Sequence, residues 1–203
     1  MPVTKVFVAD AQSRDGTAGI ALSFAHRLNI QVIPGGLPAS GRNAGARLAQ
    51  TPYLLFMDAD IELPDATLLR RALHTMRDRE LHCLTTNIAC PQGAAADHLL
   101  FGMNNLVQHA SRCVVPFATG MFMLFDKREF DRLGGFNQHA LYAEDYLLSK
   151  QVARSRFAVL PGHIATSNRR LCRMGHLHIV RMFLRTAINT SNSDYFLRDQ
   201  GYW

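Results

Sequence analysis

At 203 residues, 48% hydrophobic and 19% charged, the chain has a globular composition and enough material for one sizeable core. A net charge of +6 and a pI near 9.5 permit contact with phosphates or an anionic surface, but no stacked-aromatic platform or nucleic-acid-binding motif accompanies the charge, which argues against a nucleic-acid partner. The cysteines, Cys83, Cys90, Cys113 and Cys172, show neither a C-x-x-C pair nor a zinc spacing, and no apolar run approaches the roughly eighteen residues of a membrane span. The sequence does not open on a secretory leader pattern, and reduced thiols in a cytoplasmic protein are the expectation.

In chain order, TKVFVAD (4–10) reads as a strand, and SRDGT (13–17) supplies turn and capping residues before an Ala/Leu/Phe-rich helix over 18–28. IQVIPGG (30–36) is a second strand ended by Pro34 and two glycines. ASGRNAGARLAQ (39–50) predicts a helix with Ser40 as its N-cap. The apolar run Tyr53 to Met57, which enters LLFMDADIELP (54–64), predicts a strand buried on both faces, as in parallel sheets. Side chains two apart on a strand point the same way, so Asp58 and Asp60 should present two carboxylates on one side at its end. Their repulsion calls for a proton or a divalent cation.

This alternation implies βαβ units with right-handed crossovers, and in open α/β sheets ligands bind beyond the carboxyl ends of the strands. Asp10, the Gly35–Gly36 pair with Arg42 and Asn43, and Asp58 with Asp60 all fall at those ends. Farther on, Leu68, Leu69, Ala72, Leu73 and Met76 have the spacing of an amphipathic helix with a basic outer face, Arg70 and Arg71 being solvated. Residues 81–90 read as a strand, 95–110 as a helix with a wide apolar face, and 114–125 as a core strand interrupted by Pro116 and Gly120. A short helix from Lys127 to Leu133, a Gly134–Gly135 turn and a helix opened by Glu144 and Asp145 follow. Capping of the helix dipole would by itself explain that acidic pair.

VADAQSRDGT, GRNAGARLA and YLLFMDADIELP, followed by TGMFMLFDKREFDRLGGFNQHALYAEDYLLSK, resemble the family 2 glycosyltransferases, enzymes of the GT-A fold, from residue 5 to about residue 170. The resemblance implies a GT-A (Rossmann-like) α/β domain with a mainly parallel sheet flanked by helices. It divides the single domain 1–203 into a nucleotide-binding half (1–80), an acceptor and catalytic half (81–170) and a C-terminal helical tail (171–203). It implies an inverting transferase that moves a sugar from a nucleotide-diphosphate sugar to an acceptor hydroxyl. Asp10 would touch the base, Arg42 and Asn43 line the nucleotide pocket, Asp58 face the ribose and Asp60 hold Mn²⁺ or Mg²⁺. Asp145 would be the general base, with Glu144 beside it in the catalytic pair. TSNRRLCRMG (166–175) is similar to a basic segment of related members and would bring Arg169 and Arg170 to the departing diphosphate. The partners implied are the sugar donor and a carbohydrate or lipid-linked acceptor. Neither the Q-x-x-R-W motif of processive relatives nor membrane spans are seen, so a single-sugar transferase is expected, with contact at the cytoplasmic membrane face through basic helices over 68–79 and 169–185.

The sequence departs from the family in two places. Ala11 stands where a second acidic residue is usual, and Met1 lies almost on what should be the second strand, so the family's first strand and helix are expected to be missing. Neighbouring strands would then keep unpaired backbone groups. Two other readings stay open: an inactive or truncated nucleotide-sugar-binding remnant, and a sugar nucleotidyltransferase. A haloacid-dehalogenase-like phosphatase fits less well, because DADIE lacks the following Gly-Thr. His163, His176 and His178 stand outside the candidate set as possible extra ligands.

Overall fold

In the computed structural model, which describes residues 4–201, the strands form two sheets. β1 (Lys5–Asp10) and β2 (Asn29–Pro34) pair in parallel, Lys5 opposite Asn29 and Asp10 opposite Pro34, with α1 (Thr17–Ser23) as the crossover. The chain continues through α2 (Pro38–Leu48), β3 (Tyr53–Met57), β4 (Ile61–Glu62), α3 (Leu68–Asp78), β5 (Cys83–Ala89), α4 (Ala95–Ser111), β6 (Phe122–Asp126) and α5 (Lys127–Arg132). It ends with α6 (Glu144–Ser149), β7 (Phe157–Thr166), α7 (Arg169–Met174), α8 (His176–Ile188) and α9 (Ser193–Phe196). The second sheet has the order β3-β6-β5-β7-β4, so among the described residues β1 is bonded only to β2 and β3 only to β6.

The layered α/β plan agrees with the expectation, but the parallel pairing is confined to β1 with β2 and β5 with β7. β3 with β6, β5 with β6, and β4 with β7 are antiparallel. For the two pairings of β6 the cause is the path between β5 and β6. α4 descends alongside β5, Asn105 bonding the backbone of Ile88 and Gln108 that of Thr86, and the irregular stretch 112–121 climbs back. β6 therefore enters from the end at which β5 left. β3 lies at an edge, so Leu54 and Phe56 are buried whereas Met57 is exposed, and the expected burial on both faces is only partial.

Two local boundaries also differ from the sequence reading. Ser40 lies inside α2 and does not cap it; Leu37 is the N-cap and Pro38 opens the first turn, where its fixed φ suits the helix and its missing N–H costs nothing. The expected strand at 114–125 is ordered as strand only from Phe122, because Pro116 cannot donate to a ladder.

Three apolar clusters hold the larger part together. Phe56, Phe125, Phe130 and Phe136 interlock with tilted or edge-on rings, their centroids 4.9 to 5.8 Å apart. Leu68, Ala72 and Met76, the inner face of the predicted α3, are fully buried against Leu84, Leu124 and Ile164. Tyr142, Leu171, Ile179, Met182 and Phe196 form the third cluster, beneath α7 and α8. α2 joins the two sheets. Its Gly41 faces β1 so closely that a Cβ there would lie 2.9 Å from that of Ala9, while Ala39 and Ala46 enter the phenylalanine cluster on the other side.

Candidate active site

The spacing of α2 that sets Gly41 against β1 turns Arg42 toward the larger sheet. Arg42 Nη2 donates to Asp58 Oδ1 at 2.7 Å, and Nη1 donates to Glu144 Oε1 at 2.5 Å. Nη2 also donates to the carbonyl of Gly120 at 3.4 Å, and the guanidinium lies 5.4 Å from the centre of the Phe136 ring. A planar fork with donors on both edges can join a helix, a strand end and a second helix, which the single ammonium of lysine could not do. A Cβ on Gly120 would come 2.5 Å from Nη2, so this position has no room for a side chain while Arg42 is in place.

Asp145 sits beside this hub. Its Oδ2 accepts the N–H of Gly120 at 2.6 Å and its Oδ1 accepts its neighbour Tyr146's N–H at 2.7 Å. Ala143, the residue before α6, adopts a left-handed conformation (φ 51°, ψ 41°), a strained geometry for a residue with a Cβ, and it sets the direction in which Glu144 and Asp145 leave the chain. Burial pushes the Asp145 carboxyl above the ordinary aspartate range, against the opposing pull of Arg42 and the two backbone donors. Burial and then repulsion from Asp145 raise Glu144, with Arg42 opposing. Burial works against the charge of Arg42, but Asp58, Glu144 and Asp145 together outweigh it and raise the guanidinium pKa.

The remaining candidates are distributed around this centre. β3 ends at Met57 and residues 58–60 turn, so strand alternation does not reach the two aspartates and they diverge. Asp58 faces inward to Arg42, whereas Asp60 faces outward, 3.3 Å from Arg169 Nη2. That corrects the expected same-side geometry. Arg170 follows Arg169 in the first turn of α7. Both ends of the buried Asn43 amide are used on Phe136: Nδ2 donates to its carbonyl at 2.7 Å and Oδ1 accepts its N–H at 3.0 Å. Asp10, at the end of β1, accepts the backbone N–H of Ser13. The structure therefore brings Arg42, Asp58, Glu144 and Asp145 into one network, pairs Asp60 with Arg169 beside it, and leaves Asp10 at the other sheet.

Among the described residues no three His, Cys, Asp or Glu side chains converge as a metal cage. Asp60, a half-exposed carboxylate, offers hard oxygen donors of the kind that Mn²⁺ and Mg²⁺ take when other ligands come from phosphate and water. His176 is bonded elsewhere: its Nε2 lies 2.7 Å from Oδ1 of the buried Asp97, which also accepts from Asn168 and so ties α4 to α7 and α8. Sequence reasoning missed Gly120 and Asp97. A glycine opening an apolar strand was the only signal for the first, and nothing in the spacing pointed to the second.

The model of glycosyl transferase family 2 matches residues 2–134, which contain α2, β3 and the Asp58–Asp60 turn. The chain belongs to this family. No curated protein matches it in sequence. Among solved structures, it is similar to the mannosyltransferase PcManGT from Pyrobaculum calidifontis in complex with GDP-Man and Mn²⁺, with a TM-score of 0.63, 22% identity, and coverage of 86% of this chain and 52% of that one. It is also similar to S. aureus TarS 1-349 in complex with UDP-GlcNAc (TM-score 0.63, 18% identity, 80% and 49% covered). Mannosyl-3-phosphoglycerate synthase from Rubrobacter xylanophilus gives a TM-score of 0.57 at 17% identity, with 98% and 67% covered. The chain spans about half the length of the first two. At these identities the likeness establishes the GT-A fold and nothing finer.

Proposed function

We propose that this family 2 chain transfers a sugar, with inversion, from a nucleotide-diphosphate sugar to an acceptor hydroxyl, with Asp145 as general base. The observation that carries the reading is the setting of Asp145: a partly buried carboxylate held by two backbone N–H groups, beside an arginine whose two other acidic partners occupy it. Asp145 takes the proton as the acceptor oxygen forms its bond to the anomeric carbon, and the bond from that carbon to the diphosphate oxygen breaks, its electron pair leaving with the nucleoside diphosphate. Arg42 and Glu144 position this carboxylate and keep Asp58 oriented.

PcManGT was solved with GDP-Man and Mn²⁺ and TarS with UDP-GlcNAc, which supports a nucleotide-sugar donor here. Asp60, with Asp58 behind it, is the group that would hold Mn²⁺ or Mg²⁺, and such an ion supplies charge stabilisation to the leaving diphosphate. Arg169, next to Asp60, can donate to the same phosphate oxygens. Asp10 would reach the nucleotide from the far sheet, with Asn43 shaping the intervening wall.

A panel of GDP- and UDP-sugars with Mn²⁺ tests this, donor binding being read by calorimetry and turnover by donor hydrolysis. Asp145→Asn should lower turnover at least a thousandfold while leaving donor binding unchanged, and Asp60→Ala should weaken only the Mn²⁺-dependent part of binding. Because burial raises the Asp145 pKa, and the base works deprotonated, the rate should fall, as pH is lowered, at a higher pH than a solvated aspartate would give. Full turnover in Asp145→Asn would overturn the assignment.

A further inference from the structure

The charge of this chain is not evenly spread. From residue 146 to residue 193 the sequence holds eight Lys and Arg and no Asp or Glu, and from 98 to 125 there is again no acidic residue. The rest of the chain has more acidic residues than basic ones. The acid-free stretches build α7, α8 and all of α4 beyond its first three residues, the helices that surround the third apolar cluster: Leu100 and Phe101 of α4 pack on it with Leu171, Ile179 and Met182.

α8 buries Ile179 and Met182 in that cluster and turns an apolar face outward. Leu177 is 74% exposed, Leu184 59% and Ile188 83%. At 100° per residue Leu177, Leu184 and Ile188 fall within one narrow arc, with Arg181 and Arg185 along one flank and His178 beyond them. Among the described residues no acidic side chain pairs with Arg173, Arg181 or Arg185. α4 leaves a second stripe uncovered, Leu99, Met103, Leu106 and Val107. Patches of this kind on a soluble surface mark a contact site. α3, which the sequence offered as an equal candidate, differs: its outward Leu69 and Leu73 are only 38% and 44% exposed, and its Arg71 and Arg77 are paired with Asp65 and Asp78.

We propose that α8 rests on an anionic lipid bilayer. The apolar arc enters the boundary between headgroups and acyl chains, and the arginines alongside meet lipid phosphates. Charge selects this occupant, since an apolar stripe flanked on one side by arginines, on a helix without an acidic residue, complements an acidic lipid surface and repels a second copy of itself. α8 has 13 residues, about 20 Å of helix. That is too short to span the ~30 Å hydrocarbon layer and suited to lying along it.

Flotation of the full 203-residue chain with vesicles of phosphatidylcholine alone, and of phosphatidylcholine with 30% phosphatidylglycerol, tests this. Binding should appear only with the anionic vesicles, weaken as salt is raised, and fall at least tenfold in Leu184→Glu/Ile188→Glu. Arg181→Gln/Arg185→Gln, which leaves the apolar face intact, should weaken anionic binding by about fivefold per arginine. Unchanged circular dichroism and melting temperature in both variants would exclude misfolding. Failure to float with anionic vesicles at low salt would overturn the proposal. So would retention of full binding by Leu184→Glu/Ile188→Glu, or a salt-stable dimer in light scattering that this variant converts to monomer.

Discussion

Residues 5–34 and residues 53–166 are both built of strand and helix, but they bury very different amounts of themselves. In the larger sheet β5 is paired on both edges, two apolar clusters enclose it, and α3 hides its inner face completely. In the smaller sheet each strand is paired on one edge, Ile33 is the one buried residue among β1, α1 and β2, and α1 buries none. Ile20, Leu22 and Phe24 remain exposed. None of the three clusters includes a residue from this part. What joins it to the rest is α2, through Arg42 to Asp58 and Glu144, through Asn43 to Phe136, and through Ala39 and Ala46. The difference teaches that a sheet of two strands has its alternation and register but little packing of its own. Its place beside the candidate site depends on a few polar links and two buried alanines of one helix.

The contrast can be sharpened by substitution, each effect read from the midpoint of urea unfolding. Phe56→Ala removes a ring in contact with Phe130 and Phe136 and should cost about 4 kcal/mol, the range for a buried aromatic truncated to a methyl group. Arg42→Ala leaves the buried Glu144 carboxylate without its partner and should cost about 3 kcal/mol. Amide exchange in this variant should rise in β1 and β2 while β5 and β7 keep their protection. Asn43→Ala abandons the N–H and the carbonyl of Phe136 inside the protein and should cost about 2 kcal/mol. Leu22→Ser, on the exposed face of α1, should change stability by less than about 0.5 kcal/mol. A loss from Leu22→Ser comparable to that from Phe56→Ala would break the comparison, since it would mean that the small sheet has a core of its own.

Much of this arrangement was legible beforehand. The short strand-and-helix periods, the amphipathic spacing at Leu68, Ala72 and Met76, and the acidic pair opening α6 are local patterns that the chain carries wherever it folds. Arg42, Asp58, Glu144 and Asp145 are all candidates from the sequence alone, and the structure joins them in one network. Direction was not legible. Whether β6 runs with or against β5 depends on how far α4 descends and where 112–121 returns, a matter of three-dimensional path. Nor could alternation along β3 say which way Asp58 and Asp60 turn once the strand has ended at Met57.

By itself the sequence determined where strands and helices form, which faces are apolar and which acidic and basic side chains lie at the ends of strands, because these follow from neighbours only a few residues apart. Tertiary structure decided what those side chains meet. Arg42 reaches Glu144 across 102 positions of chain, Gly120 reaches Asp145 across 25, and Asp97 holds His176 across 79. Such pairings depend on how distant segments pack, and a local pattern has no means of encoding a distance in space between groups so far apart along the chain.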